Sequence, residues 1–271
     1  MPARKIVILI LAAILIIAAG AMLCQKYQAE KLCEQIRMGE EIDADSSNNP
    51  SAPLFLEMCY SCAEAEIKIP LVEACYHRNI QAVQTLLENG ADPHFFIDGY
   101  KSPLEAALWN GPAGPIDEKS FEIVKMLVDY GCDVNLHASD KSVIEKMAGL
   151  MAGGNDNPLL PEIIVYLLDN GATEGTDYLL HFAARNGNVE LARLLIEQYD
   201  YDPDEILFKG QNSVVASVYY SKFIERPVTV EMVQMLVEHG ADPNLKDDDG
   251  KTALDYAVDY GYMDIVELLS Q

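Results

Sequence analysis

Basic side chains are scarce in this chain. Its 271 residues hold 19 Lys and Arg against 43 Asp and Glu, a formal net charge of −24 at pH 7. Phosphate backbones need a basic footprint, so this balance argues against nucleic acid as a ligand. It also argues against the folded body lying on an anionic lipid surface. A basic protein partner is compatible with it, because opposite potentials steer encounter. Solubility alone accounts for it equally well. The short motifs of chemistry are missing too: there is no glycine-rich phosphate loop, no paired-histidine zinc helix and no Gly-x-Ser-x-Gly elbow. The five histidines, His77, His94, His137, His181 and His239, are scattered. Asp247-Asp248-Asp249-Gly250 lacks the alternating acids of a calcium loop and is followed by Lys251, so it reads as a solvated turn tip. No pair of carboxylates is placed as acid and base. The expectation is a non-enzyme with no catalytic residue, metal, cofactor or small-molecule ligand.

One long apolar run is present. Residues 6–23 contain no Asp, Glu, Lys or Arg and follow Arg4 and Lys5. As a helix this run would span about 27 Å, enough for a thin hydrocarbon layer. Two readings stay open. It is a retained anchor with its basic end in the cytoplasm, or a secretory signal with an apolar core over 6–17 and a cleavage site at Ala19-Gly20-Ala21. The first gives a single-pass membrane protein with an extracytoplasmic C-terminal domain, the second a secreted or periplasmic one. There are six cysteines. Cys75 and Cys132 read as small buried hydrophobes. Cys59-x-x-Cys62 puts two sulfurs on one helix face, where a disulfide would form in an oxidising compartment. A redox dithiol wants a strand-to-helix context and zinc wants a second ligand pair, and neither is supplied.

A helix-end phrase recurs: Asn89-Gly90-Ala91-Asp92-Pro93, Tyr130-Gly131-Cys132-Asp133-Val134, Asn170-Gly171-Ala172 and His239-Gly240-Ala241-Asp242-Pro243. Each follows an amphipathic run of the form V-x-x-L-L or a close variant of it, and glycine there ends the helix in the left-handed conformation. Upstream of each run lies a segment rich in small residues, as in Ile69-Pro-Leu-Val-Glu-Ala-Cys75, Ser102-Pro-Leu-Glu-Ala-Ala-Leu108 and Thr252-Ala-Leu-Asp-Tyr-Ala-Val258. These segments resemble the T-P-L-H-x-A signature of the ankyrin repeat, and Leu180-His181-Phe182-Ala183-Ala184 keeps the histidine. The resemblance implies an all-α repeat solenoid of helix-turn-helix units with turn or hairpin fingers, here behind an N-terminal hydrophobic helix. It implies that His181 hydrogen-bonds its own turn. It also implies recognition of another protein through a concave face and the turn tips.

The organisation expected is an anchor or signal over 1–23, a juxtamembrane helix and linker over 24–53, a capping helix over 54–68 and a repeat domain over 69–271. Its units start near 69, 102, 142, 178, 213 and 252, and the spacings above the family's period of about 33 fall between paired helices. Tyrosine and tryptophan dominate interface hot spots. The partner-binding candidates are therefore Tyr76, His77, Trp109, Asn110, Arg185, Asn186, Tyr220 and Tyr260 after the first helices, with Phe95, Phe96 and Tyr100 in the first turn. The function expected is a tethered or exported protein-binding module. An inhibitor, immunity or adaptor protein for a basic exported enzyme or toxin is the alternative, and a redox protein using Cys59 and Cys62 is a third.

Overall fold

The computed structural model describes residues 31, 34–39, 70–94, 101–109, 114–136, 138, 141–152, 157–223 and 230–270. The apolar run over 6–23, the linker, the capping segment over 54–68, Cys59, Cys62, Phe95, Phe96, Tyr100 and Asn110 lie outside them. Of the expected juxtamembrane helix, residues 34–38 are described and helical, with Ile36 buried and its carbonyl accepting from Asn79 Nδ2 at 3.3 Å. Among the described residues no helix is long and apolar enough to cross a membrane.

Two compact bodies make up the chain, Met1–Asp140 and Lys141–Gln271. In the first, α1 (Pro70–Tyr76) and α2 (Ile80–Glu88) form one antiparallel pair, and α3 (Pro103–Ala107) and α4 (Glu118–Asp129) the next. The second body continues with α5 (Val143–Ala152), α6 (Leu159–Asp169), α7 (Leu179–Arg185), α8 (Val189–Tyr199), α9 (Ser213–Ser221), α10 (Val230–Glu238), α11 (Ala253–Tyr260) and α12 (Met263–Leu269). No strand occurs among the described residues. Within each body the packing has two layers. Helix α1 lies on α3 and α2 on α4; in the second body α7 lies on both α5 and α9, α9 on α11, and α8, α10 and α12 form the other layer.

The chain dictates this locally. The first helices α3, α5 and α11 open on a residue whose side chain satisfies the free N–H groups of the first turn. Ser102 Oγ accepts from Glu105 N at 3.2 Å while Glu105 Oε2 accepts from Ser102 N at 2.8 Å. Ser142 with Glu145 and Thr252 with Asp255 repeat the pattern. Second helices are amphipathic: α6 buries Leu160, Ile163, Ile164 and Leu167, one stripe at helical spacing. Each such side chain removed from water contributes about 2 kcal/mol. These helices end alike. Gly90 (φ +87°) and Gly240 (φ +100°) reverse the chain, and the next residue's N–H returns to the helix, Ala91 to Leu86 O and Ala241 to Leu236 O, both at 3.0 Å. Then the aspartate of the phrase folds the turn. Asp92, Asp133, Asp202 and Asp242 each accept at 2.9 Å from the N–H two residues on.

Neighbouring turns of the second body are tied through Asn212. Its side chain is fully buried, caps α9 by accepting from Val215 N (3.0 Å), and donates to Asp204 Oδ1 (2.9 Å) and Asp242 O (3.0 Å). Replacing Asn212 with Ala removes the cap and strands two acceptors. Urea denaturation is expected to show a loss of about 2 kcal/mol, and a loss below half that would mean the tie is not structural.

Candidate functional site

In the first body the expected binding residues gather around one lysine. Lys101 Nζ stands 3.8 Å from the centroid of the Trp109 ring and 5.7 Å from that of Tyr76. Tyr76 meets His77 edge-on at 5.4 Å, and His77 Nε2 lies 3.4 Å from Glu73 Oε2. Trp109, the chain's single tryptophan, is 45% exposed. Below it Arg78 is buried and donates to Pro115 O (2.6 Å), Gly114 O (2.8 Å) and Trp109 O (3.4 Å). It also pairs with Asp117 at 3.4 Å. Burial pushes the Asp117 carboxyl upward, but the Ser120 N–H and the Arg78 charge outweigh this and hold it below the ordinary carboxylate value.

In the second body Arg185, Tyr220 and Tyr260 belong to a continuous aromatic ladder. Tyr178 stacks on Phe208 at 5.3 Å, and His181 lies 5.9 Å from Phe208 and 6.3 Å from Tyr220. Tyr220 meets Tyr219 at 4.9 Å, and Tyr219 reaches both Phe223 (5.3 Å) and Tyr256 (5.1 Å). Tyr256 continues to Tyr260 and Tyr260 to Tyr262, both at 5.8 Å. Cations sit over the rings: Arg185 over Tyr220 at 4.0 Å, Lys209 over Tyr219 at 5.0 Å, Lys222 over Tyr260 at 4.6 Å and Lys251 over Tyr256 at 5.2 Å. Phe208 and Phe223 are 47% and 62% exposed. Such a surface of rigid rings with adaptable charged tips suits protein recognition. Asn186 is different: it is buried, and its amide donates to Phe182 O at 2.7 Å, which commits it to ending α7.

Away from the ladder, a cleft of about 550 Å³ is lined by Tyr199, Tyr201, Asp177, Asp202 and Glu205. Burial and the two aspartates raise the Glu205 carboxyl above its ordinary value. Among the described residues no group of three or more His, Cys, Asp or Glu could hold a metal ion. Cys75 and Cys132 are free and buried, and burial pushes the Cys132 thiol up to about 12.

A family model described as "Ankyrin repeats (3 copies)" matches residues 180–271. Ankyrin repeat protein L86 of Acanthamoeba polyphaga mimivirus is 26% identical over 207 residues, covering 70% of this chain and 34% of its own length. The chain thus spans about a third of that relative. Among solved structures, the ankyrin repeat protein EF0377 is similar with a TM-score of 0.56 at 27% identity, covering 74% of this chain and 96% of its own. Residues 180–271 thus match ankyrin repeats, and the chain is similar in fold to ankyrin-repeat proteins over about three quarters of its length. A solved complex of the Bd0816 predatory endopeptidase from Bdellovibrio bacteriovorus with immunity protein Bd3460 is similar at a TM-score of 0.55 and 22% identity, covering 75% of this chain and 97% of that one, and shows the shared fold alone.

Two ankyrin features depart from what the sequence predicts. His181 was expected to hydrogen-bond its turn. It is 2% exposed, and neither ring nitrogen has a hydrogen-bond partner. The reason is local: the hydroxyl slot at the start of this repeat holds Tyr178, which makes no side-chain cap and lays its ring on Phe208 instead. The Asp247 turn is not simply solvated either. Asp247 is buried and accepts from Tyr256 Oη (2.6 Å) and from the N–H groups of Asp249 and Lys251, both at 3.0 Å. Sequence reasoning missed Tyr178, Tyr219, Phe223 and Lys222 as members of the surface. The signal available was the Tyr219-Tyr220 doublet, which on one helix turns two rings toward neighbouring repeats.

Proposed function

We propose that this ankyrin-repeat protein is held at a membrane by residues 6–23 and captures a partner protein on the aromatic faces of its first helices. Ankyrin repeats are protein–protein interaction modules, whose stacked units offer extended surfaces. The observation that carries the reading is the ladder from Tyr178 to Tyr262, which leaves the Phe208 and Phe223 rings about half exposed. Hot-spot aromatics at such surfaces contribute about 2 kcal/mol or more each on truncation.

The test is cross-linking of the full-length chain in its native envelope, followed by affinity measurement with the captured partner. Replacing Tyr220 and Phe223 together with Ala is expected to weaken that affinity at least tenfold with an unchanged melting temperature. An unaltered affinity would remove the ladder from the interface. Sequencing the N-terminus of the mature chain decides the tether: a chain starting after Ala21 is exported and released rather than anchored.

A further inference from the structure

Arg185, Lys209 and Lys222 form no ion pair among the described residues, although acids outnumber bases 43 to 19 in the chain. The ordinary outcome in such a chain is seen elsewhere. Lys251 is taken by Asp259 at 2.6 Å, Arg78 by Asp117 and Arg193 by Glu197. Lys209 instead donates to Tyr219 Oη at 3.0 Å, and Arg185 keeps a buried Nε without a hydrogen-bond partner.

The backbone is strained to place one of them. Lys209 is left-handed (φ +57°, ψ +30°), a conformation that is unfavourable for a side-chain-bearing residue. It is held there by Asp248 N, which donates to Lys209 O at 3.0 Å, and by Gly210 (φ +69°). A Cβ at Gly210 would lie 3.0 Å from the Asp248 backbone nitrogen, so only glycine allows the two turns to meet. The result sets the Phe208 ring against Tyr178 and the Lys209 ammonium over Tyr219.

We propose that this face of the second body holds an acidic segment of a partner protein. Arg185, Lys209 and Lys222 pair its carboxylates, and Phe208, Tyr220 and Phe223 pack its apolar side chains. The proposal rests on the partner-binding reading and adds the sign of charge of the bound segment. It runs against the simplest use of the net charge, which would favour a basic partner. The overall field governs encounter at a distance, whereas groups in contact decide what is held. A polyanion longer than the patch, such as nucleic acid, would run onto the surrounding carboxylates, while a short acidic segment meets only the cations.

The test titrates the full-length chain, in a nonionic detergent, with three labelled twelve-residue peptides. All alternate Tyr and Leu with a variable residue, which is Glu, Gln or Lys. The Glu peptide is expected to bind at least tenfold more tightly than the Gln peptide, and added salt should weaken it. Lys209→Glu with Lys222→Glu should shift the preference to the Lys peptide. Lys246→Glu, a charge reversal at a residue standing over no ring, should leave the preference intact, whereas Lys209→Glu alone, the same charge change on the ladder, should weaken it.

Equal binding of Glu and Gln peptides, or a preference for Glu that survives the double reversal, overturns the proposal. So does wild-type preference for the Lys peptide, or equal affinity for oligo-dT or anionic vesicles. If the double variant does not fold, the salt dependence of the wild-type chain decides by itself. Failure of the broader reading looks different, because the Tyr220 and Phe223 truncations would then leave capture of the native partner unchanged. Loss of capture in those truncations, without charge dependence, overturns only the acidic segment.

Discussion

Replacing Arg78 with Ala is expected to destabilise the first body by about 3 kcal/mol, since hydrogen bonds to charged groups contribute about 1.5–3 kcal/mol each and an acidic partner is left behind. Arg78 stands where the later repeats have Gly187 (φ +68°) and Gly261 (φ +75°), and its own φ is +53°. A non-glycine residue there carries a cost of about 1–2 kcal/mol. The guanidinium offsets that cost by closing the long connection between α3 and α4 through Pro115, Gly114 and Trp109 carbonyls. Alanine keeps the strain and loses the clamp. Glycine loses the clamp but relieves the strain, so Arg78→Gly should be about 1 kcal/mol more stable than Arg78→Ala. Lysine keeps charge without the forked geometry and should recover only part of the loss. Because the chain has a single tryptophan, its fluorescence reports the clamp directly. Emission of Trp109 should shift to the red in Arg78→Ala before global unfolding. Ala and Gly variants of equal stability would show that the left-handed backbone carries no strain.

The recurring architecture was legible because each repeat solves the same local problem with the same residues. Gly90, Gly131, Gly171 and Gly240 are all left-handed, and the aspartate after the small residue folds each following turn where it is present. The third phrase has Thr173 in that position and makes do with a Thr176 hydroxyl donating to Thr173 O at 3.1 Å. The phrase of the fourth repeat escaped notice because Asp200, at φ +58°, takes the glycine slot and Tyr201 the alanine slot. Its Asp202 still folds the turn, accepting from Asp204 N at 2.9 Å. The binding face was less legible for a different reason. Which aromatic rings meet depends on how first helices lie against one another, and no spacing within one repeat encodes that. Tyr220 and Tyr260 were accessible to sequence reasoning as residues past the small pair. Phe208 and Lys209 reach the same face from a turn, by way of a strained backbone. Asn186 shows the converse, since it has the right position but uses its amide to end its own helix.

Between pH 7 and pH 4 the second body is expected to lose about 3 kcal/mol of stability through His181 alone. Burial, with a smaller contribution from the Arg185 charge, lowers this imidazole from 6.5 to about 4. In that interval the unfolded chain binds a proton that the folded chain refuses. Stability therefore rises with pH across the window and is complete above the unfolded value. His239 acts with the opposite sign. Its hydrogen bonds to Met235 O (2.7 Å) and Glu197 Oε1 (3.0 Å) raise it, so its contribution is present at low pH and fades as pH rises through its folded value. Replacing His181 with Leu separates the two. The variant should be no less stable than wild type at pH 7, because the imidazole it removes has both nitrogens buried without partners, an arrangement that costs about 1–3 kcal/mol. At pH 4.5 it should exceed wild type by about 2 kcal/mol or more. Further acidification then destabilises both chains, as Asp117, Asp247 and Asp255, all held below 3.8, take up protons. Urea melts at half-unit steps from pH 4 to 8 measure the difference curve. Parallel curves for wild type and His181→Leu would mean that the imidazole finds a partner in solution, and the fourth repeat would then keep its histidine for the turn hydrogen bond that the sequence resemblance implies.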